Sequence, residues 1–284
     1  MKIPKELQPL VHDGIVDSVI RRLKSGKEAS VFLVACGNEI RCAKVYKDSN
    51  DRGFHKLAQY QEGRTVRGSR DARAMGKGGR HGRSVQEAEW KNAEVDALYK
   101  LTKAGVRVPQ PFGIFDGVLL MELLVDGDGL PAPRLNDIEM SPVQALEWHA
   151  FMVRQIVLML CAGVIHGDLS EFNVLLDAAG PVIIDLPQAV NASSNNNAFQ
   201  MLERDVNNMR ETFGRAAPEL LETHYAHEMW ALYSAGELTP ESQLTGRFVF
   251  DVSEIDVDAV LEHIEDERFE AEERERRRAE AEDS

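Results

Sequence analysis

The stretch Val164-Ile165-His166-Gly167-Asp168-Leu169-Ser170-Glu171-Phe172-Asn173-Val174-Leu175-Leu176, with Val182-Ile183-Ile184-Asp185 shortly after it, constrains this chain more than any other segment. A polar loop is set between short apolar runs. Asp168, an Asn five residues later and a second Asp at the end of an apolar strand form a polar set suited to phosphoryl transfer. One carboxylate orients an attacking hydroxyl, while the amide and the other carboxylate hold a divalent ion against nucleotide phosphates. Any one of these residues alone reads more simply as part of an acidic turn after a core helix. Their order and spacing argue against that simpler reading.

At 284 residues the chain is long enough for a sizeable core, as one two-lobed domain or two modest ones. Its first ten residues are polar and carry no signal-peptide core, and Ile156 to Ile165 is too short an apolar run to span a bilayer. Cys36, Cys42 and Cys161 are odd in number and lack metal-ligand spacing, so they read as reduced thiols of a cytoplasmic protein. The net charge of −14 is unevenly divided: residues 1–108 hold 22 Lys+Arg and 13 Asp+Glu, and the remainder holds 11 and 34. A basic first part suits a polyanionic ligand, although a solvated charged surface would look the same.

Residues 14–22 read as a short helix that feeds a hairpin, with strands at 30–34 and 40–46 turned through Cys36-Gly37-Asn38-Glu39. Residues 48–84, rich in Gly and Arg, read as a flexible basic insertion. Ser84 with Glu87 has capping-box spacing for a helix on which Trp90, Ala93, Ala97 and Leu101 share a face. A second strand pair, 112–115 and 118–124, turns at Asp116-Gly117, and residues 126–136 form a linker. Ser141 as cap and Pro142 at the first helical position open a long helix ending near Gly163. Short strands flank the turn at 177–180, helices follow the polar segment 191–197, and residues 265–284 form a charged tail. The expected class is α+β: an antiparallel sheet with one main helix over 1–125, a mainly helical half over 126–264, and a nucleotide in the cleft between them.

Lys44 closes a strand between Ala43 and Val45, where a lysine can reach nucleotide phosphates and pair with a helical carboxylate. Without the downstream loop it would read equally well as an edge-strand lysine in water. Glu94 is the favoured partner, with Glu87 and Glu89 as fallbacks.

At Ser25-Gly26-Lys27-Glu28-Ala29-Ser30-Val31, His166 to Asn173 and Ile184-Asp185-Leu186-Pro187-Gln188, the sequence resembles the RIO family of atypical serine/threonine protein kinases. Within that family it is similar to a bacterial member of the branch lacking a winged-helix domain. Supporting stretches are Ala43 to Lys47, Val108 to Pro111, Leu120-Met121-Glu122, Leu130 to Pro133 and Leu202 to Val206, and the likeness runs over roughly residues 14–235. It implies a trimmed bilobal kinase fold that uses ATP and Mg²⁺, with Mn²⁺ as a substitute, for self-phosphorylation or ATP hydrolysis. It makes Asp168 the catalytic aspartate, Asn173 and Asp185 the metal ligands, and Lys44 with Glu94 the phosphate-positioning pair. Ser25, Lys27 and Ser30 join the phosphate-facing loop. Glu122 and Leu124 offer backbone groups to the adenine, with Met121 behind it, and His166 keeps the catalytic loop in shape.

The sequence departs from ordinary protein kinases at several points. The first loop has one glycine, Gly26, so close backbone approach to phosphate is confined to one spot. It is not a Walker A loop, because Arg21 stands five residues before Gly26. Ser170 stands where many kinases place a lysine, which removes one positive charge from the γ-phosphate region and implies slow transfer to peptides. Pro187 replaces a glycine after the metal aspartate and stiffens that segment.

Between Arg64 and Arg83 stand seven basic residues against one acid, Asp71. A solvated loop would have this composition, and so would an arm that grips RNA phosphates. The family resemblance points the second reading toward rRNA or a ribosomal subunit. Thr65, Ser69 and Ser84 are candidate self-phosphorylation sites. Two rival functions share the polar loop: a small-molecule kinase of the aminoglycoside-phosphotransferase kind, and a nucleotide-gated module that binds RNA or an assembly factor. The Ser-Gly-Lys-Glu-Ala loop and the Leu-Pro-Ala-Pro linker speak against the first. The complete Lys44, Asp168, Asn173 and Asp185 set speaks against a catalytically dead form of the second.

Overall fold

The computed structural model describes residues 3–26, 29–47 and 93–249. The fold class is α+β. An antiparallel five-stranded sheet is built from β1 (Ser18–Ser25), β2 (Ala29–Cys36), β3 (Glu39–Tyr46), β4 (Pro111–Phe115) and β5 (Val118–Glu122), in the order β1-β2-β3-β5-β4. The β2–β3 turn has only two residues, and Gly37 occupies it at φ 62°, which a side chain would disfavour.

Residues 14–22 do not form the short helix expected from the sequence. Helix α1 lies earlier, at Gln8–His12, and Ser18–Ser25 is the edge strand β1, paired along its length with β2. The local sequence has no strong helical stripe, and β-branched Val19 and Ile20 fit a pleated edge better. The partner strand decides the outcome.

Alternation along β3 prepares the site. Ala43 and Val45 join a cluster with Leu7, Leu10, Val16, Phe32 and Leu120, which closes one face of the sheet. Lys44 and Tyr46 therefore point to the other face. There the chain is helical over 93–103, termed α2, and buries Val95, Ala97, Leu98 and Leu101 in the main core.

In the second half, α3 (Pro142–Cys161) starts at Ser141, whose hydroxyl accepts from Gln144 N–H while the Gln144 side chain returns to Ser141 N–H. Such a cap contributes about 1 kcal/mol. Ala145, His149, Met152, Ile156, Met159 and Leu160 form its buried stripe. Short strands follow: β6 (Val164–Ile165) pairs with β9 (Val190–Asn191), and β7 (Val174–Asp177) pairs with β8 (Gly180–Ile183). Helix α4 (Ala198–Gly214) packs against α3 and β6, and α5 (Tyr225–Ser234) packs against α3 and α4. The long helix, both hairpins and the β7–β8 turn lie where the sequence places them. The insertion 48–84, the Ser84 helix start with Trp90, Glu87 and Glu89, and the tail 265–284 lie outside the described residues. Among the described residues, no helix is long and apolar enough to cross a membrane.

Candidate active site

The site is organised around Lys44. Its ammonium donates to Glu94 Oε1 at 2.7 Å and to Asp185 Oδ1 at 2.7 Å, so one residue of β3 touches both α2 and the segment after β8. Tyr46 OH donates to the second oxygen of Glu94 at 2.7 Å. Lys44 and Glu94 are almost wholly enclosed, whereas the Asp185 side chain remains 43% exposed. Burial opposes the Lys44 charge, but Asp185 and Glu94 more than offset it and hold the lysine above its ordinary range. Burial likewise raises the Asp185 carboxyl, and Lys44 outweighs it, so this group stays ionised below the usual carboxylate range. Asp185 has φ 66°, a left-handed conformation costing about 1–3 kcal/mol for a residue with a side chain.

The loop between β6 and β7 is held from its backbone. Asp168 N–H donates to His166 Nδ1 at 3.3 Å, and His166 Nε2 lies 3.0 Å from the Ile184 carbonyl. A neutral ring with its proton on Nε2 satisfies both contacts and ties Asp168 to the strand leading into Asp185. Asn173 Nδ2 donates to the Asp168 carbonyl at 2.8 Å, and Ile184 N–H donates to the Asn173 carbonyl at 2.9 Å. Asp168, Asn173 and Asp185 thus belong to one hydrogen-bonded unit. Its turn Glu171–Asn173 is a single 3₁₀ turn. Asp168 is partly exposed between buried Gly167 and Leu169, on a backbone fixed by these contacts.

Helix α4 supplies residues to which the sequence assigned no role. Asp205, 2% exposed, accepts Gly167 N–H and Leu169 N–H, each at 2.8 Å. Asn208 Nδ2 donates to the Leu169 carbonyl at 2.8 Å, and the Arg204 guanidinium donates to the Gly167 carbonyl. One turn further on, Thr212 Oγ1 donates to buried Glu171 at 3.4 Å, and Arg215 lies 3.3 Å from the same carboxylate. Positions 205, 208 and 212 have helical i, i+3, i+7 spacing, so successive turns of one face grip successive parts of the loop. Burial drives the Asp205 carboxyl above its ordinary range, against the opposing pull of Arg204 and the two N–H groups. In the sequence, the available signal was polar residues in register with buried Met201, Leu202 and Met209.

At the end of β5, Met121 pairs across from Cys42 and packs against the main core. Glu122 N–H already donates to Gln110 O at 2.9 Å, and the Leu124 carbonyl already accepts Ala132 N–H at 3.0 Å. The Leu124 N–H makes no hydrogen bond among the described residues. The Glu122 side chain accepts from Arg107 Nη1 at 3.2 Å and from Gln110 N–H at 3.0 Å, and Arg107 also pairs with Asp177 at the end of β7. Ser25 and Ser30 face each other across the β1–β2 pairing, with hydroxyls 3.1 Å apart. Lys47 Nζ donates to Gly26 O at 2.6 Å beside them. Lys27 lies outside the described residues.

The sequence pattern of the RIO domain matches residues 30–226. The RIO-type serine/threonine-protein kinase Rio1 of Haloferax volcanii is 35% identical over 209 residues, covering 72% of this chain and 67% of that protein. The serine/threonine-protein kinase RIO1 of Homo sapiens is 29% identical over 214 residues, covering 71% of this chain and 34% of its own length. The rio1 kinase of Schizosaccharomyces pombe is 27% identical over 217 residues, with 74% and 41% covered. The chain therefore spans well under half of these two eukaryotic relatives. A crystal structure of a kinase domain is similar over 77% of this chain and 70% of its own, at a TM-score of 0.45 and 16% identity. The stretch from β2 to the start of α5, which carries Lys44, Asp168 and Asp185, is thus a RIO domain, and the chain belongs to that family of serine/threonine protein kinases.

Proposed function

We propose that this chain transfers the γ-phosphoryl group of ATP to serine or threonine hydroxyls, its own included, and hydrolyses ATP when no hydroxyl is offered. The observation that supports this most directly is the Lys44 ammonium, fixed at 2.7 Å from both Glu94 and Asp185. A lysine so held offers a positive charge to the phosphates with little reorganisation. The partly exposed Asp168 is suited to orienting the acceptor hydroxyl and accepting its proton. The Leu124 N–H, with Met121 and Glu122 beside it, is available to an adenine edge, and Ser25, Lys27 and Ser30 belong to the loop assigned to the phosphates.

Among the described residues, no three His, Cys, Asp or Glu side chains gather as a metal cage. Mg²⁺ in phosphoryl-transfer sites takes one or two protein oxygens and completes its shell with phosphate and water. Asn173 and Asp185 fit that need. Asn173 spends its amide hydrogen on Asp168, leaving Oδ1, and Asp185 places only Oδ1 on Lys44. When bound, the ion neutralises phosphate charge.

The RIO membership favours a protein-hydroxyl acceptor over a small alcohol. It leaves a nucleotide-gated module as the reading to be separated by turnover. With γ-labelled ATP, Asp168→Asn should lose nearly all label transfer and keep nucleotide binding, whereas Asp185→Ala should lose Mg²⁺-dependent binding. Wild-type transfer by Asp168→Asn would overturn the reading. The basic segment 64–83 extends the proposal to rRNA or a ribosomal subunit as partner, in a cytoplasm that keeps Cys36, Cys42 and Cys161 reduced. Deleting 64–83 should lower RNA retention and flatten its salt dependence.

A further inference from the structure

A second pair of cations, Lys24 and Arg134, lies within Coulombic reach of Asp185. Lys24 of β1 pairs across from Val31, which pairs across from Lys44. Directly opposed residues of neighbouring strands share a face of the sheet, so Lys24 and Lys44 point the same way, two strands apart. From the other side, Arg134 forms a bridge opposite Leu175 of β7, while Leu176 N–H donates to the Pro133 carbonyl at 2.9 Å. Val174 and Leu176 are buried in the main core, and Leu175 between them is only half-buried. Leu175 therefore points away from that core, and Arg134 opposite it shares its side.

Neither Lys24 nor Arg134 makes a side-chain hydrogen bond or ion pair among the described residues. Each is within Coulombic reach of the other and of Asp185, and Asp137 also faces Lys24. Partial burial and then Arg134 hold the Lys24 ammonium below the ordinary lysine range, while Asp137 and Asp185 pull it upward. Two cations that share this space and have no direct contact of their own among the described residues favour an anion between them. Ser170, in the loop itself, carries no charge.

We infer that Lys24 and Arg134 form a two-sided clamp for the polyphosphate chain of the nucleotide, supplying from the sheet edge and from the segment before β7 the positive charge that the catalytic loop lacks. The inference rests on the nucleotide reading given above. Arg134 presents a planar fork suited to phosphate oxygens, and Lys24 acts as a point charge on the opposite wall.

The test compares the full chain with Lys24→Ala, Arg134→Ala and the double variant, all checked by thermal unfolding. Affinities for MgATP, MgADP and adenosine are measured by competition with a fluorescent adenine nucleotide. Each single change should weaken MgATP and MgADP roughly tenfold, and leave adenosine within about twofold. Arg134→Lys should recover part of the loss. Unchanged MgATP affinity in the double variant would overturn the clamp, and so would an equal loss for adenosine, which marks a general structural defect. If the unaltered chain bound neither nucleotide, the kinase reading would fail together with the clamp. If it bound both and the variants did so equally, only the clamp would fail.

Discussion

Lys44 and Glu94 meet at 2.7 Å although fifty residues separate them, and Tyr46, two positions along the same strand, holds the other oxygen of that carboxylate. The period of a β-strand makes this possible: residues 44 and 46 share a face and reach one helical carboxylate together. Glu94 thus has both oxygens engaged before any ligand arrives, and Lys44 keeps its second contact, to Asp185, on the more open side of the cleft.

Glu94→Gln should leave Lys44 with a weaker partner while preserving shape. Phosphoryl transfer should fall roughly a hundredfold, and nucleotide affinity by a smaller factor, because the loss falls mainly on the charge-developing step. Tyr46→Phe removes only one hydrogen bond to the same carboxylate and should cost less. A Tyr46→Phe defect as deep as that of Glu94→Gln, measured by single-turnover kinetics, would show that the tyrosine does more than orient Glu94.

Much of this arrangement is legible in the linear sequence, and the reasons differ by element. Ser141 and Pro142 announce a helix start through local chemistry, and Gly37 in a two-residue turn announces a hairpin. Asp168, Asn173 and Asp185 are close in sequence, so their spacing carries information. Strand β1 is not legible in the sequence because its identity comes from pairing with β2, and Ser18–Ser25 alone has no decisive period. Asp205 stands out in the sequence only as part of the stretch Leu202 to Val206. A carboxylate on a helix looks like any surface acid until its burial and its two N–H donors are seen.

Asp205→Ala should expose what that helix does. Removing the side chain leaves the Gly167 and Leu169 N–H groups buried without acceptors, at about 1–3 kcal/mol of stability. The loop carrying Asp168 then loses its fixed backbone, so turnover should fall at least tenfold while nucleotide affinity stays within a few fold. Chemical denaturation and nucleotide titration on the same preparation check both halves. Tight binding lost together with turnover would instead mark collapse of the whole cleft.

Arg107 joins the two halves of the domain through its side chain and backbone separately. Its N–H donates to Gln155 Oε1 at 2.7 Å, and its carbonyl accepts Ile183 N–H at 3.0 Å, both of which survive substitution. Its guanidinium links Glu122 on the sheet side to Asp177 on β7. Arg107→Ala should therefore leave the fold intact at a cost of about 1–3 kcal/mol, since Glu122 is partly solvated whereas the nearly buried Asp177 loses its cation. Because Leu124 lies two residues beyond Glu122, adenine nucleotide affinity should drop a few fold. A double-mutant cycle with Glu122→Gln should show coupling between the two changes; strict additivity would refute the linkage.

His149 sets a pH dependence of stability that is independent of the catalytic groups. It is 2% exposed in the α3 stripe, its Nε2 has no hydrogen-bond partner among the described residues, and Phe213 and Tyr225 lie against its ring at 5.8 Å and 5.6 Å. Burial pushes its pKa down to about 4 in the folded chain, against 6.5 for an ordinary histidine. The unfolded chain then binds a proton at this position between those two values and the folded chain does not. Stability should accordingly be complete above about pH 6.5 and decline as the pH falls toward 4, by about 3 kcal/mol. His149→Leu removes the titrating group and should flatten that part of the profile while keeping the apolar contacts. Urea denaturation of both proteins at half-unit pH steps reads the difference directly. Parallel profiles would mean that the acid sensitivity arises elsewhere.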